Sequence, residues 1–447
     1  MRRCLTLAGA LLLVGAQPAG AAVKITATSV EVSNRGARAV VTPSPFRLSF
    51  VDPRGRVVLR QVGALARSRR LPATLDPEPF GIERRPDNAV YAPLAFEVGR
   101  ERRTQWNAGL WGGNLLFSRR SGRVHSAREV LNAVPEGRGV RLEVSTTDPR
   151  RRLFVRITPD RGRSLRVRVS PTSKRGVITM GDSFVAARGE GFHGFGGRHG
   201  TVNKRGEKLY GWTEQESLGG KPTISGGLGL LPQLVRDWSD YTIERLGGMA
   251  KVPDELPGGY ERYLVTSGPN AAYYPQAQFL SSRGYGFMLN RPELSRWRMG
   301  NDRRGAWQVQ SSSAELDYTV TLGPGKARAL RDLTAIGGRH RLPPAWAQGS
   351  ILSRAVRTPA LPGLPAPETK ETYRAAIEQD LADIERYGVK LSAYAFEGWG
   401  ILFDDLDYVR DVIRRLHARG IKAVLYHRAY VSNDALSTQP RGDYEET

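Results

Sequence analysis

The region from residue 343 to residue 431 constrains the fold most, because short apolar runs alternate there with amphipathic helical patterns. The pattern predicts three strands, at residues 349–353, 389–396 and 421–426. Strands that are separated by single helices form a parallel sheet with right-handed crossovers. The region therefore predicts a run of βα units, either in a doubly wound sheet or in a (β/α)8 barrel.

Two amphipathic helices are predicted between these strands. The first can be capped by Thr369, begins near Glu371 and stops at Gly388. The second follows the acidic pair at residues 404–405 and stops at Gly420, because negative charge is favourable at a helix N-terminus. The apolar residues predicted to face the sheet are Tyr373, Ile377, Leu381 and Ile384 in the first helix, and Leu406, Val409, Ile413 and Leu416 in the second.

The turn after the first strand decides between the two parallel architectures. A doubly wound sheet places a phosphate-binding glycine turn there, and residues 353–356 have the sequence SRAV instead. The barrel is therefore favoured. A complete barrel takes about 250 residues, whereas residues 341–447 supply 107, so we expect the first three βα units of a truncated (β/α)8 TIM barrel.

The N-terminus has the pattern of a secretory signal peptide over residues 1–21. Arg2 and Arg3 precede an apolar core, and small residues at 19–21 offer a cleavage site. A retained anchor is the alternative, although no later stretch is long and apolar enough for a stable membrane span. Export to the periplasm or the extracellular space is expected, and the single cysteine, Cys4, would be lost with the peptide. With six scattered histidines the mature chain then offers no metal site, and no cofactor is expected.

The formal net charge of +23 raises the possibility of a negatively charged partner, such as a nucleic acid or an anionic surface. Much of the excess is arginine at alternate positions of predicted strands, as in the LRVRV run at residues 165–169, which places it on a solvent face. No basic stripe is interleaved with aromatics for base stacking, so no nucleic-acid partner is expected. A solvated basic surface is favoured, and a role in binding a polyanion or the cell envelope stays open.

Residues 23–335 form a succession of short alternating segments separated by turn signals. The FRLSF run at residues 46–50, a DPRG turn and residues 57–62 predict a hairpin, for example. Many such strands predict an N-terminal β-sandwich domain, for which we take residues 22–340. The overall prediction is a multidomain chain in which this β-sandwich is followed by the incomplete barrel.

A glycine-rich segment at residues 189–220 interrupts the strand pattern and is predicted to be a loop. It is rich in polar and aromatic residues, including Trp212 and Glu214, a composition typical of binding loops. Aromatic side chains that merely cap the sandwich are the alternative interpretation.

Several of these segments resemble motifs of glycoside hydrolase family 31, in the same order along the chain. Residues 191–216 resemble the glycine-rich loop of its N-terminal domain, and residues 343–350 resemble its PPxWxxG motif at the start of the barrel. Residues 274–283 and 430–434 look closest to the bacterial branch that contains the sulfoquinovosidases.

The resemblance implies a retaining α-glycosidase with a carbohydrate substrate. In such enzymes two carboxyl groups about 5 Å apart act as nucleophile and as acid and base. In this family both are aspartates on barrel strands beyond the third, so no catalytic residue is expected within this chain. The oligomeric state is unknown.

The resemblance also suggests sugar-binding residues at the ends of the second and third strands. Glu397 can accept hydrogen bonds from sugar hydroxyls and Trp399 offers a flat face to a ring. His427 is a weaker candidate, and Trp212 and Glu214 are candidates from the glycine-rich segment. Packing at the barrel rim is the alternative for Trp399, and a rim ion pair is the alternative for Glu397.

The substrate predicted is an α-glucoside. Gly398 stands where the sulfoquinovosidase branch usually has Asp, and residues 400–408 lack the Arg and Trp that help that branch to bind a sulfonate. A sulfoquinovosidase, a transglycosylase or lyase on the same scaffold, and a carbohydrate-binding remnant without catalysis remain alternatives.

Overall fold

The computed structural model describes residues 21–70, 74–78, 89–107, 114–198, 201–211, 272–355 and 369–426. The chain divides into two compact units, Met1–Pro253 with Glu261–Arg339, and Asp254–Tyr260 with His340–Thr447. The predicted signal peptide and Cys4 lie outside the described residues. Across the part of the chain that is described, no helix is long and apolar enough to cross a membrane.

The first unit consists mainly of antiparallel strands. In chain order they are β1 (Ala21–Ile25), β2 (Val30–Asn34), β3 (Ala37–Thr42), β4 (Arg47–Val51), β5 (Val57–Arg60), β6 (Arg69–Arg70), β7 (Thr74–Glu78), β8 (Phe96–Asn107), β9 (Asn114–His125), β10 (Ala127–Glu136), β11 (Gly139–Thr146), β12 (Arg152–Pro159), β13 (Ser164–Pro171), β14 (Val177–Val185), β15 (Phe192–Arg198), β16 (Lys208–Gly211), β17 (Ala272–Ser281), β18 (Tyr285–Leu289), β19 (Ser295–Arg298), β20 (Ala306–Ser311) and β21 (Leu316–Leu322).

These strands form three sheets. The first sheet is β1-β2-β3-β4-β5, and it contains the predicted hairpin, since β4 and β5 pair antiparallel. The second sheet has the order β10-β11-β12-β13-β21-β18-β17-β15. The third has the order β16-β19-β20-β14-β8-β9-β6, with β7 also paired to β9.

An aromatic cluster joins the second and third sheets. Trp307 of β20 packs edge-on against Phe287 of β18, with ring centroids 5.1 Å apart, and Phe184 of β14 lies 6.0 Å from Tyr318 of β21. All four side chains are fully buried. Each contributes roughly 2–3 kcal/mol of hydrophobic stabilisation, so this cluster is where the predicted packing of sheet on sheet takes place.

A buried carboxylate connects the same sheets to the first one. Asp182 of β14 accepts hydrogen bonds from the Gln61 amide at 2.7 Å, the Tyr318 hydroxyl at 2.9 Å and the backbone N–H groups of Leu94 and Ser183. Burial raises the pKa of Asp182 to about 6. The Gln61 side-chain oxygen in turn accepts from a backbone N–H of β4, so one polar network links all three sheets.

Two features of the first unit differ from the sequence prediction. Helix α1 (Lys326–Gly337) lies where short strands were expected to continue to residue 335, and it packs on the second sheet, where the Thr321 hydroxyl donates to the Ala329 carbonyl. The glycine-rich segment is also not simply a loop, because its described part contains β15 and β16. Pairing with β17, which lies far along the chain, makes part of the glycine-rich segment a strand. Helix α1, in contrast, packs on the strand just before it.

The second unit contains a three-stranded parallel sheet. Its strands are β22 (Ile351–Ala355), β23 (Ala393–Glu397) and β24 (Lys422–Leu425), in that order. Helices α2 (Lys370–Arg386) and α3 (Leu406–Ala418) connect them, and short 3-10 helices occur at Ala345–Gln348 and Trp399–Leu402. Two complete βα units and the strand of the third are therefore present in the described residues, whereas the third helix and closure of a barrel stay predictions.

The predicted cap, end and buried face of α2 are confirmed. Thr369 caps the helix through a reciprocal pair of hydrogen bonds with Thr372, and Gly388 follows the helix with a φ of 60°. The residues buried on its inner face are Tyr373, Ile377, Leu381 and Ile384, as predicted.

Three details of this unit were predicted wrongly, beginning with the first strand, which spans Ile351–Ala355 rather than residues 349–353. The second strand begins at Ala393 rather than at residue 389, and Val389 is 45% exposed. In α3 the buried residues are Val409, Val412 and Leu416, whereas Leu406 is 37% exposed. Leu406 is the first residue of its helix, so it lies at the edge of the core where the apolar face has not yet met the sheet.

Candidate functional site

The candidate site lies at the carboxyl ends of β22 and β23, where parallel strands bring their last residues together. Ala355 pairs with Glu397 in register, and Ser353 pairs with Ala395. The carboxyl edge of a parallel sheet is where such folds place ligand-binding residues. Glu397 and Ser353 are thereby neighbours although 44 residues separate them in sequence.

The two faces of the small sheet differ in chemistry. On the helix side the Arg354 Nε donates to the Asp380 carboxylate of α2 at 2.7 Å, and its Nη2 donates to the other oxygen of that carboxylate. The Tyr394 hydroxyl donates to the same carboxylate at 2.6 Å. Burial and the Asp380 carboxylate raise the pKa of Tyr394 well above its ordinary value. This face is a closed, satisfied structural network.

The opposite face carries Glu397. Its side chain is exposed, and its Oε2 accepts a hydrogen bond from the Ser353 hydroxyl at 3.1 Å. The backbone of the same residue is held from the helix side, because the buried Tyr373 hydroxyl donates to the carbonyl of Glu397 at 3.2 Å and to that of Arg354 at 3.0 Å. The carboxylate therefore extends from a fixed strand end and keeps lone pairs available for further donors.

Trp399 follows directly and links the second strand to the third. Gly398 adopts the left-handed conformation, with a φ of 88°, and turns the chain into the 3-10 helix that Trp399 begins. The indole N–H donates to the carbonyl of Tyr426 at 2.9 Å, and the ring lies 5.9 Å from that of Phe403. Trp399 is half-buried, so it has a packing role and still presents part of its ring.

The structure brings together two of the five residues predicted for the site, Glu397 and Trp399. His427, Trp212 and Glu214 lie outside the described residues. Sequence reasoning missed Ser353 as the partner of Glu397 and Tyr373 as the residue that holds the two strand ends. Residue spacing offers no direct signal for either, although the prediction of parallel in-register strands would have placed Ser353 beside the second strand.

Other features of this unit lie away from Glu397. A depression of about 410 Å³ is lined by residues of the opposite edge, including Glu385, Gly388 and Arg419. A second, of about 280 Å³, lies at the start of α3 and includes Asp404 and Asp405. Within the described ranges no group of three or more His, Cys, Asp or Glu side chains is placed to hold a metal.

Comparison with known proteins gives a relative in sequence and several in structure. No family model matches the chain. The chain is 23% identical over 176 residues to an α-xylosidase, XylQ, of Lactiplantibacillus pentosus, a match that covers 37% of this chain and 22% of that protein.

Two solved structures are similar at lower identity. A GH31 sulfoquinovosidase from E. rectale, in complex with an aza-sugar inhibitor, has 16% identity and a TM-score of 0.48, covering 75% of this chain and 44% of that chain. A GH31 α-xylosidase from a soil metagenome, complexed with xylose, has 14% identity and a TM-score of 0.44, and the match covers 92% of this chain and 40% of that chain. The match spans less than half the length of each of these three proteins.

Proposed function

We infer that this chain, which is related to glycoside hydrolase family 31, forms part of an enzyme that hydrolyses glycosidic bonds. The match to an α-xylosidase agrees with the family resemblance that the motifs indicated. We propose α-glycosidic bonds, cleaved with retention, and a gluco-configured substrate.

The observation that carries the proposal is the placement of Glu397. Its carboxylate is exposed at the carboxyl edge of the parallel sheet, its backbone is fixed by Tyr373, and a hydroxyl donor, Ser353, already occupies one of its oxygens. A carboxylate in this setting accepts hydrogen bonds from adjacent hydroxyl groups of a sugar ring. The exposed part of the Trp399 ring can cover an apolar face of the same sugar.

Glu397 would orient the substrate rather than perform the chemistry. Retaining hydrolysis takes two carboxyl groups about 5 Å apart, one as nucleophile and one as acid and then base. The family resemblance assigns these to later strands, and we give no residue of this chain a catalytic role. A bound sugar that is already oriented loses less entropy on reaching the transition state, and this is the contribution that a binding carboxylate makes.

The absence of sulfonate-binding residue types favours a neutral sugar. Residues 400–408, which come after Trp399, contain neither Arg nor a further Trp. A sulfonate needs cationic or N–H donors, whereas a neutral glucoside needs hydroxyl-binding carboxylates such as Glu397. An α-xyloside is the second candidate, because the relative in sequence is an α-xylosidase.

The test is to read the DNA beyond codon 447, express the full open reading frame, and assay the p-nitrophenyl α-glucoside, α-xyloside and α-sulfoquinovoside side by side. We expect the glucoside to be turned over with the highest kcat/KM. Highest activity on the sulfoquinovoside would overturn the substrate proposal. A soluble product without activity on any of the three would leave a carbohydrate-binding remnant as the better account.

Glu397→Gln provides the residue test in that protein. Loss of a charged hydrogen-bond acceptor costs about 1.5–3 kcal/mol, so kcat/KM should fall by roughly 10- to 100-fold. Glu385→Gln is the matched control, since Glu385 lies at the opposite edge of the sheet in an exposed ion pair with Arg419. Equal losses of kcat/KM in the two variants would show that Glu397 does not bind the substrate.

Export is a separate proposal that rests on residues 1–21. N-terminal sequencing of the protein from the periplasm or medium of its native host should read a chain that begins at residue 22. A full-length chain recovered from the cytoplasm would contradict it.

A further inference from the structure

The outward face of β11, β12 and β13 carries a concentration of arginine. Residues alternate cleanly along these strands, so that one set is buried in the core and the other points away from it. The buried set includes Leu142, Val144, Leu153, Val155, Leu165 and Val167. The outward set includes Glu143, which forms an ion pair with Arg152 at 2.6 Å. It also includes Arg141, Phe154, Arg156 and Arg168, and we call these last four residues the basic face.

The arginines of the basic face lie directly opposite one another. Arg141 pairs with Arg156 across β11 and β12, and Arg156 pairs with Arg168 across β12 and β13. Neighbouring strands are about 4.8 Å apart, so three cations follow each other in a row across the sheet. Like charges directly opposite in a sheet are destabilising unless anions compensate them.

The anions of the protein compensate this row only in part. Arg156 has an exposed partner, Glu136, at 3.0 Å. Asp317 of β21 lies directly opposite Arg168 and 3.7 Å from it, so the row ends in a carboxylate, but Asp317 also accepts two shorter hydrogen bonds from Arg166.

Arg141 completes the row without an acid. Its guanidinium lies 5.6 Å from the centre of the Phe154 ring, and among the described residues no carboxylate is paired with it. The side chains of Arg156 and Arg168 are 42% and 53% exposed. The row therefore presents more positive charge to solvent than its neighbours neutralise.

We propose that the basic face binds an acidic polysaccharide, whose successive carboxylate or sulfate groups supply the missing anions along the row. Guanidinium groups bind such oxyanions in a planar, often bidentate geometry. A row across a flat sheet suits an extended polymer, since no closed cavity surrounds it.

The chemistry of the face argues against other polyanions. Phe154 is the only aromatic residue among the outward positions of these three strands, so a series of bases has no stacking platform. A flat sheet face also cannot enter the major groove of a duplex as a helix or a ribbon does. The proposal is independent of the glycosidase site, because it concerns the first unit and needs no turnover.

The test is affinity electrophoresis of the full protein that is expressed for the activity assay, in gels that contain polygalacturonate, with neutral dextran as the reference polymer. We expect retardation by polygalacturonate alone, weakening as salt is raised. The variant Arg141→Gln/Arg156→Gln/Arg168→Gln should lose about tenfold in affinity, since three ionic contacts to the polymer are removed.

The matched control is Arg410→Gln/Arg414→Gln/Arg419→Gln, which removes the same charge from exposed ion pairs elsewhere. We expect a loss of less than about twofold there. Equal loss in both triple variants would show attraction by net charge only and overturn the proposal. Tighter binding of single-stranded DNA than of polygalacturonate would overturn the choice of polymer.

Circular dichroism and thermal unfolding check that the triple variant folds. Should it unfold, the single variant Arg141→Gln takes its place, because Arg141 has no ion pair to lose among the described residues. Unchanged retardation of a folded Arg141→Gln variant and of a folded triple variant would likewise refute the basic face as the binding surface.

Discussion

At the scale of single residues, the Tyr373 hydroxyl contributes most to the geometry of the candidate site. It is buried on the inner face of α2 and donates to the carbonyls of Arg354 and Glu397, the backbone groups at the ends of β22 and β23. A local helix pattern predicted that Tyr373 is buried. What its hydroxyl binds depends on two strand ends that lie 19 and 24 residues away.

Tyr373→Phe should loosen the strand ends without removing the ring from the core. One buried hydrogen bond contributes about 1 kcal/mol, so amides in residues 351–355 and 393–397 should exchange about fivefold faster. Hydrogen exchange measured by mass spectrometry reads these segments directly. Tyr387→Phe is the control, since Tyr387 is 66% exposed at the end of the same helix. The assignment fails if both variants exchange alike.

At the scale of elements, the glycines of β15 make a strand out of a segment whose composition predicts a loop. The pairing of β15 with β17 shifts register between Gly194 and Gly196 and again between Gly197 and Arg198. Gly196 has a φ of 84°, and a Cβ there would lie 1.8 Å from the Tyr274 carbonyl oxygen. The glycines permit bulges within a strand, which composition alone does not distinguish from turns.

Adjacent glycines of β15 should therefore tolerate alanine very differently. Gly196→Ala combines a steric clash with the left-handed backbone, and we expect a loss of about 2–4 kcal/mol in the free energy of unfolding. Gly197 has open space where a Cβ would point, so Gly197→Ala should stay within about 1 kcal/mol of the wild type. Urea unfolding of the two variants measures the difference. Similar midpoints would contradict the bulge geometry.

At the scale of the whole molecule, the Asp182 network makes stability depend on pH. Burial raises the pKa of Asp182 to about 6, from an ordinary value of 3.8. The folded state then binds the proton more tightly than the unfolded state, so this contribution is fully present below about pH 4 and is lost as pH rises through 6. The loss is on the order of 3 kcal/mol.

Asp52 acts in the opposite direction. Burial alone would raise the pKa of Asp52, but hydrogen bonds from Arg56 and Arg54 and the charge of Arg56 lower it below its ordinary value. Its contribution is therefore lost as pH falls through that lowered pKa. The sum of these two contributions alone is therefore largest near pH 4.

Asp182→Asn tests this pH dependence, because asparagine resembles the protonated carboxyl group and does not titrate. The free energy of unfolding of the wild type should decrease between about pH 4 and pH 7. In the variant this decrease should be smaller by on the order of 3 kcal/mol. Glu136→Gln, at an exposed ion pair, should keep the slope of the wild type. Parallel profiles for wild type and Asp182→Asn would show that Asp182 does not titrate in this range.

The sequence by itself determined the local patterns: the inner face of α2, its cap at Thr369, the clean alternation of β11 to β13, and the place of Glu397 at a strand end. These depend on residues within one or two turns or along one strand, where propensity and periodicity are encoded by near neighbours. Only the tertiary structure decided that residues 326–337 form a helix, that β15 pairs through its glycines, and that Ser353 meets Glu397. It also decided that Asp182 joins three sheets and that three arginines align. Except for the helix, which packs on the second sheet, these features depend on the register between segments far apart in sequence, which a shift of a single residue would change.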